Sequence, residues 1–456
     1  MNRTLAGETI GVLGLARSGE AAARLALAHG AGVYASDAGD TPAARAAAER
    51  VRVAGGDAEA GMHDLGRLAG CSGIVLSPGI PPTAPILQEP ALAAVPRVGE
   101  LEFAWRLLGV PTIAITGTNG KTTVTALAAH LLRAAGIDAA EGGNIGTALS
   151  EIALRDPSPA WAVVEASSFQ LADTRAFSPE IGVVTNLSPD HLDRYPDVAS
   201  YYADKGRLFR NATSQSRWIL NGEDDAVLAL AGDAPGTRLA FRVTGPLLEG
   251  ELGGWIAADR LLTLRIRAGT DEPLVRTEEL GILGEHNVAN ALAASLGARL
   301  AGAGPEAIAE GLRSFRAPPH RLEPVVERDG ILWINDSKAT NVASTRVALR
   351  SMQRPTVLLL GGKHKGECYT ELLPDLRAHV RGVVAFGEAS ELVDRDLAPH
   401  VPVEQVRGPF EDAVRRAGEM ARTGDVILLS PACSSFDMFA NYEERGRRFA
   451  ELAMQA

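Results

Sequence analysis

Apolar residues in this chain gather into short runs separated by alanine-rich, charge-studded stretches, and the two patterns have different periods. In residues 1–98, "TIGVLGL", "AGVYASD" and "GIVLSPGI" are nearly continuous apolar runs that end in glycine, aspartate or a Pro-Gly turn. Such runs mark buried strands, whereas "SGEAAARLALAHG" reads as a helix closed by Gly30. Strand–helix–strand alternation at these spacings predicts right-handed crossovers and a parallel sheet. Residues 99–317 continue with "PTIAITGTNGKTT", "PAWAVVEASS" and "EIGVVTNLSPDHLDRY" as buried strands. Next, "TRLAFRV" and "LLTLRIR" alternate apolar and polar residues as half-exposed antiparallel strands do, and "GEHNVANALAASLGARLAGAG" is a helix with a glycine stop. The prolines of "APPHRLEP" mark a hinge, after which residues 318–456 return to continuous runs: "ILWIND", "TVLLLGG", "GVVAFG" and "DVILLSP". The pattern predicts an α/β protein of three domains, residues 1–98, 99–317 and 318–456.

Length supports the division, because 456 residues exceed what one hydrophobic core serves. Apolar residues at 46% and charged residues at 22% describe an ordinary globular composition. The net charge of −11 argues against nucleic acid as a partner, so any anionic ligand has to be met by a local cationic pocket. Cys71, Cys368 and Cys433 match no zinc or disulfide spacing. The N-terminus runs within a few residues into the strand-like "ETIGVLGL", so no basic-then-apolar leader is expected, and no apolar run is long enough to cross a bilayer. A soluble, cytoplasmic protein without membrane insertion is expected.

Two glycine turns carry candidate chemistry. The segment from Gly117 through Thr118, Asn119, Gly120, Lys121, Thr122 and Thr123 follows an apolar strand and opens a helix. That arrangement presents backbone N–H groups and a positive helix end to phosphate, with Lys121 as a mobile cation and a threonine hydroxyl for magnesium. The usual phosphate loop has four residues between its glycines; here only Thr118 and Asn119 intervene. Glu165 and His191 end two further strands of the same block. Carboxyl ends of parallel strands share one edge, so both should face the loop, where a carboxylate and an imidazole suit magnesium bridging a phosphate. The second turn, Gly14 to Gly19, also opens a helix, with Asp37 at the end of the next strand. It lacks the third glycine of a dinucleotide fingerprint, which leaves open a nucleotide-diphosphate site or a merely structural turn.

The motifs "TGTNGKTT", "VEASSFQL" and "TNLSPDHLDRY" resemble the Mur ligases, whose phosphate loop has this short form. Those enzymes couple ATP hydrolysis to amide formation in peptidoglycan precursors. "VLGLARSG", "LSPGI", "GEHNVANALAA", "PHRLE", "INDSKATN", "LLLGG" and "LLSPACSSFDMFANYEERG" extend the resemblance over nearly the whole chain. They are most similar to the branch that joins D-glutamate to UDP-N-acetylmuramoyl-L-alanine through an acyl phosphate and a tetrahedral intermediate.

The resemblance implies a Rossmann-like N-terminal domain for UDP and a central P-loop ATPase-type domain with a small antiparallel sheet. It implies a Rossmann-like C-terminal domain for the amino acid. The UDP-substrate contacts are then Gly14, Leu15, Ala16, Arg17, Ser18, Asp37, Ser77 and Gly79, with Asn144 and His191 toward the muramoyl peptide. ATP is held by Gly117 to Thr123 together with Asn287, Asn290, Arg321 and Asp336. His320 stands beside Arg321 at the hinge. Two magnesium ions are implied, one on Thr122 and Glu165, the other on His191 and Lys205, the latter carrying a carbamate derived from carbon dioxide. Glutamate falls to Lys338, Thr340, Lys365, Ser435 and Tyr442, with Lys363 a rival to Lys365. Lys121, Glu165, His191, Lys205 and Lys338 are the implied catalytic set, in a monomer.

Overall fold

A computed structural model describes residues 4–191, 194–282, 284–316 and 319–455. The expected boundary at residues 317 and 318 lies outside the described residues, as do Leu192 and Asp193 of the "PDHLD" motif. The chain divides into two compact units, residues 1–279 with 289–313, and residues 280–288 with 314–456.

The first unit holds two sheets. Thr9–Leu13, Gly32–Asp37, Asp57–Ala60, Gly73–Leu76 and Arg97–Gly99 form the first, in the order third, second, first, fourth, fifth. Every pairing is parallel. Strands two and three lie on one side of Thr9–Leu13 and strands four and five on the other, so the order reverses beside the first strand. Crevices in open α/β sheets form at such a reversal. The register places Leu13 opposite both Ser36 and Leu76, which brings the Gly14 turn, Asp37 and Ser77 to one edge.

The second sheet has nine strands. Thr112–Thr116 runs between Trp161–Glu165 and Ile181–Val184, parallel to both. Ile113, Ala114 and Ile115 are fully buried, as a strand covered on both faces requires. Ile115 opposes Glu165 and Thr116 opposes Val184, so the glycine loop, Glu165 and the segment leading to His191 leave the sheet together. Two expectations are corrected here. Thr237–Arg242 pairs parallel with both Arg217–Asn221 and Gly253–Ala257. The antiparallel strands Leu261–Arg267 and Thr270–Arg276 do not form a small sheet of their own, because they extend the same nine-stranded sheet beyond Gly253–Ala257. Alternation records that one face is exposed; strand direction depends on the connections.

The second unit is a six-stranded sheet in the order Glu323–Arg328, Ile331–Asn335, Val426–Leu429, Thr356–Gly361, Val380–Phe386, Val403–Gln405. Only the first pair is antiparallel. Leu429 opposes both Asn335 and Leu359, so the loops after Asn335, Gly361 and Leu429 emerge at one edge. Among the described residues no helix is long and apolar enough to cross a membrane.

Candidate active site

The glycine loop is stitched to the strand beside it. Thr118 N–H donates to the Asn186 carbonyl at 2.8 Å, and Asn119 N–H to Asn186 Oδ1 at 2.9 Å. The Thr185 hydroxyl donates to the Asn119 carbonyl at 2.6 Å. Gly117 adopts φ of +137°, and a Cβ there would lie 2.0 Å from Thr185 Oγ1, so only glycine lets the loop approach this strand. The helix Lys121–Ala134 that follows has Gly120 as N-cap and no side-chain cap. Helices Pro42–Val53, Ser168–Ala172 and Val198–Gly206 are capped by Thr41, Ser167 and Asp197. A side-chain cap occupies the first-turn N–H groups; leaving it out keeps them available to an anion. The helix Arg17–Ala28 after the Gly14 turn is likewise without a side-chain cap, behind Ala16. Both predicted phosphate sites therefore share this feature.

Glu165 is the centre of the second cluster. It is 1% exposed, accepts the Thr122 hydroxyl at 2.7 Å on one oxygen, and accepts the Asn144 amide at 2.8 Å on the other. The approach of Asn144 depends on Gly143, whose φ is +99° and whose Cβ would fall 2.3 Å from the Glu165 carbonyl oxygen. That close contact lets Asn144 N–H donate to the same carbonyl at 2.9 Å. Thr122 and Glu165 thus meet at the shared sheet edge, and Asn144, expected toward the muramoyl peptide, joins them on the second oxygen of Glu165.

Lys121 Nζ folds back onto the carbonyls of Gly117, at 3.0 Å, and Thr118, at 2.7 Å. Lys205 reaches the Gly117 carbonyl from the other side at 2.7 Å, with its ammonium 4.5 Å from the Tyr201 ring centroid. Lys205 is only 1% exposed. Burial, reinforced by Lys121 and opposed by Asp190 and Glu165, pulls its pKa well below the usual lysine range. His191 sits in an aromatic surround with φ of +56°. Its ring lies 5.2 Å from Phe169 and 5.9 Å from Tyr201, and Tyr195 stacks on Phe169 at 5.4 Å. Tyr201 also donates to Thr118 Oγ1 at 3.4 Å, tying the His191 surround to the glycine loop. Among the described residues no group of three His, Cys, Asp or Glu side chains gathers as a metal site. The oxygen donors Thr122 and Glu165 suit a hard cation that retains several waters.

At the first sheet, Asp37 organises the Gly14 turn, accepting Leu15 N–H at 2.7 Å and Gly39 N–H at 2.8 Å. Ser77 is buried and Gly79 exposed. Asn290 packs its side chain against Gly120, where a Cβ would lie 2.4 Å from Oδ1. Asn287 starts the same helix, Glu285–Leu300.

The second unit holds the remaining predicted residues. Lys338 Nζ lies 3.8 Å from the Tyr442 ring centroid. Lys363 pairs its N–H with the Ser434 carbonyl at 2.9 Å, one residue before the buried Ser435, and Lys363 and Lys365 are both exposed. Asp336 is enclosed, accepting Leu322 N–H at 3.2 Å and the Ser430 hydroxyl at 2.9 Å. Burial pushes its pKa up to about 7, against those two bonds and the charge of Arg321. Sequence reasoning missed Arg445, a buried guanidinium that binds Ser337 Oγ at 2.9 Å and the Cys433 carbonyl at 3.2 Å. It locks the loops bearing Lys338 and Ser435 together, and an arginine on an amphipathic helix gives no sequence signal of that. Tyr201 was legible only as part of the Tyr-x-x-x-Lys context of Lys205; its contacts with the His191 ring and the glycine loop were not.

The family model of the Mur ligase middle domain matches residues 115–298, and that of the Mur ligase glutamate ligase domain matches residues 320–433. A protein of Salinibacter ruber named UDP-N-acetylmuramoylalanine–D-glutamate ligase is 41% identical over 448 residues, 97% of this chain and 96% of the relative. One of the same name from Myxococcus xanthus is 40% identical, covering 99% of both chains. The chain belongs to the Mur ligase family. Its fold is that of solved ligases at low identity. The pseudomurein peptide ligase type C of Methanothermus fervidus superposes with a TM-score of 0.64 at 18% identity, covering 98% of this chain and 100% of that one. The UDP-N-acetylmuramate-alanine ligase MurC of Thermotoga maritima gives 0.61 at 18%, covering 98% and 99%. In this Mur ligase the middle-domain match spans the glycine loop, Glu165, His191 and Lys205, and the glutamate-ligase match spans Lys338, Lys363 and Lys365.

Proposed function

We propose that this chain is the ATP-dependent ligase that joins D-glutamate to UDP-N-acetylmuramoyl-L-alanine, a cytoplasmic step of peptidoglycan precursor synthesis. The observation that carries the reading is the meeting of Thr122, Asn144 and Glu165 beside a glycine loop that carries Lys121. It occurs in a chain that follows ligases of that name from end to end.

The chemical difficulty is the approach of two anions, the terminal phosphate of ATP and the substrate carboxylate. Lys121 and the open N-terminus of Lys121–Ala134 stabilise the phosphate charge, and preorganised groups of this kind supply the largest share of such catalysis. Magnesium held by Thr122 and Glu165 would neutralise the β- and γ-phosphates. A second ion would use His191 and a carbamate on Lys205. The environment of Lys205 favours the neutral amine, which is the form that adds carbon dioxide: the nitrogen lone pair attacks carbon, a proton leaves, and a carbamate anion results. The carboxylate oxygen attacks the γ-phosphorus, ADP leaves, and the amine of glutamate then attacks the acyl carbon. Phosphate departs from the tetrahedral intermediate with the oxygen that linked it.

The division of labour follows the sheets. Residues 1–98 form the Rossmann-like UDP domain, with Gly14 to Ser18, Asp37, Ser77 and Gly79 around the diphosphate. Residues 99–317 form the P-loop ATP domain, with Asn287 and Asn290 on the nucleoside side; Arg321 and Asp336, of residues 318–456, are the other ATP contacts in this reading. Residues 318–456 bind glutamate through Lys338, Thr340, Ser435, Tyr442 and Lys363 or Lys365. The enzyme acts as a monomer. Phosphate release measured with UDP-N-acetylmuramoyl-L-alanine and D-glutamate, L-glutamate or L-alanine tests the reading. Turnover with D-glutamate alone is expected, and turnover with L-alanine as the incoming amino acid and none with D-glutamate would reject it.

A further inference from the structure

Outside these sites the first unit contains a cavity of about 550 Å³ lined by four guanidiniums, Arg97, Arg175, Arg207 and Arg210, with Asp173 as a lining carboxylate. In a chain with net charge −11 this is a local reversal of sign. Arg97, Arg207 and Arg210 are held mainly by neutral groups. Arg97 donates to the carbonyls of Leu87 at 2.8 Å and Leu92 at 3.0 Å, Arg207 to that of Ala172 at 2.5 Å, and Arg210 to that of Thr174 at 3.5 Å. Carbonyls fix direction without cancelling charge. Arg207 also pairs with Asp204 at 3.1 Å, so the four cations meet two carboxylates, Asp173 and Asp204.

The wall bearing Arg175 is braced from inside. Glu102, wholly enclosed at its side chain, accepts the N–H groups of Arg175 at 2.6 Å, Ala176 at 2.9 Å and Phe177 at 3.0 Å, and pairs with Arg106. Leu76, Pro82 and Leu87 supply an apolar side. Guanidiniums gathered around one cavity, several of them directed by backbone carbonyls, match the oxygens of phosphate groups. Each wall continues a segment of the active site. Pro82 and Leu87 follow Ser77 and Gly79, residues 172–175 follow the strand that ends at Glu165, and Arg207 follows Lys205.

We infer that this cavity is a binding site for a diphosphate-bearing anion, distinct from the ATP loop. The proposed function places the substrate's own diphosphate at the Gly14 turn, so the ligand here is a separate diphosphate acting on the segments that lead into the active site. Inorganic pyrophosphate is the probe, titrated calorimetrically without magnesium into the full-length Lys121→Ala protein, whose ATP loop is impaired. Binding is expected to weaken at least tenfold when Arg175→Gln and Arg210→Gln are added. Both side chains are exposed, so the melting temperature without ligand should not move. No binding, or equal affinity in the two proteins, overturns the inference whatever the enzyme's activity. The source is then read from the Arg175→Gln/Arg210→Gln protein with Lys121 intact, an arm that rests on the proposed function. A tenfold rise in KM for UDP-N-acetylmuramoyl-L-alanine would mean that the substrate's diphosphate sits here, and would overturn the inference of a separate anion. An unchanged KM with lost inhibition by pyrophosphate assigns it to a separate anion.

Discussion

Gly117→Ala offers a direct check on the geometry of the ATP loop. The residue sits at φ +137°, a conformation that costs an L-amino acid about 1–3 kcal/mol. Its new Cβ would stand 2.0 Å from Thr185 Oγ1, so that hydroxyl must move. The hydroxyl donates its one proton to the Asn119 carbonyl at 2.6 Å, with the Thr116 carbonyl nearby at 3.3 Å, and losing that bond costs about 0.5–1.5 kcal/mol. Together these terms come to about 1.5–4.5 kcal/mol against the phosphate-binding shape, or ATP affinity weakened about 10–10³-fold at 1.4 kcal/mol per decade. Calorimetric titration of ATP with magnesium measures it, alongside thermal unfolding to show that the fold survives. The atom responsible can be removed separately. Thr185→Ala alone should weaken ATP modestly, and in the double variant the penalty of Gly117→Ala should shrink by about 0.5–2 kcal/mol, because only the strained φ and contacts near 3.1 Å remain. ATP binding by Gly117→Ala within threefold of the parent, or strictly additive effects of the two changes, would refute the reasoning.

Lys205→Ala should lower turnover at least 100-fold, with partial recovery on adding formate or acetate, and the parent protein equilibrated with ¹³C-bicarbonate should show a carbamate carbon signal that the variant lacks. Asp336 keeps its proton up to about pH 7 in the fold but loses it near 3.8 when unfolded, so the unfolded state binds fewer protons between these values and stability falls as pH rises through that window. The loss is bounded at about 4 kcal/mol for a shift of roughly three units, and Asp336→Asn should flatten the dependence when unfolding is followed from pH 4 to 8. Lys338→Ala should raise the KM for glutamate about tenfold or more while sparing that for ATP, and of Lys363→Ala and Lys365→Ala the one that does the same marks the second carboxylate contact.

Much of the arrangement was legible in the sequence because buried parallel strands write themselves as apolar runs. Thr112–Thr116, Trp161–Glu165 and Ile181–Val184 were each found, and once their ends share an edge, the meeting of Thr122 with Glu165 follows. Strands with other chemistry were lost. Ala139–Gly143 carries two glycines and a glutamate at the sheet edge, yet its turn delivers Asn144 to Glu165. Thr270–Arg276 is polar and contains Pro273, which an edge strand tolerates and a pattern search rejects. The direction of Thr237–Arg242 was misjudged because alternation reports exposure and says nothing about which way a neighbouring strand runs. Arg445, the contact of Tyr201 with the glycine loop and the arginine cavity were illegible for another reason. Their roles arise from partners 83 to 108 residues away or from several segments meeting, as with Tyr201 and Thr118 or Arg445 and Ser337, and spacing along one segment holds no trace of that.

The central claim is that the site drives an anionic carboxylate onto the terminal phosphorus of ATP, and isotope transfer reads this directly. UDP-N-acetylmuramoyl-L-alanine labelled with ¹⁸O in both carboxylate oxygens is converted with D-glutamate and ATP, and the released phosphate is analysed by mass spectrometry. One ¹⁸O atom per phosphate, with one retained in the new amide, is the predicted result. Phosphate free of ¹⁸O, with both labelled atoms accounted for elsewhere, would contradict it.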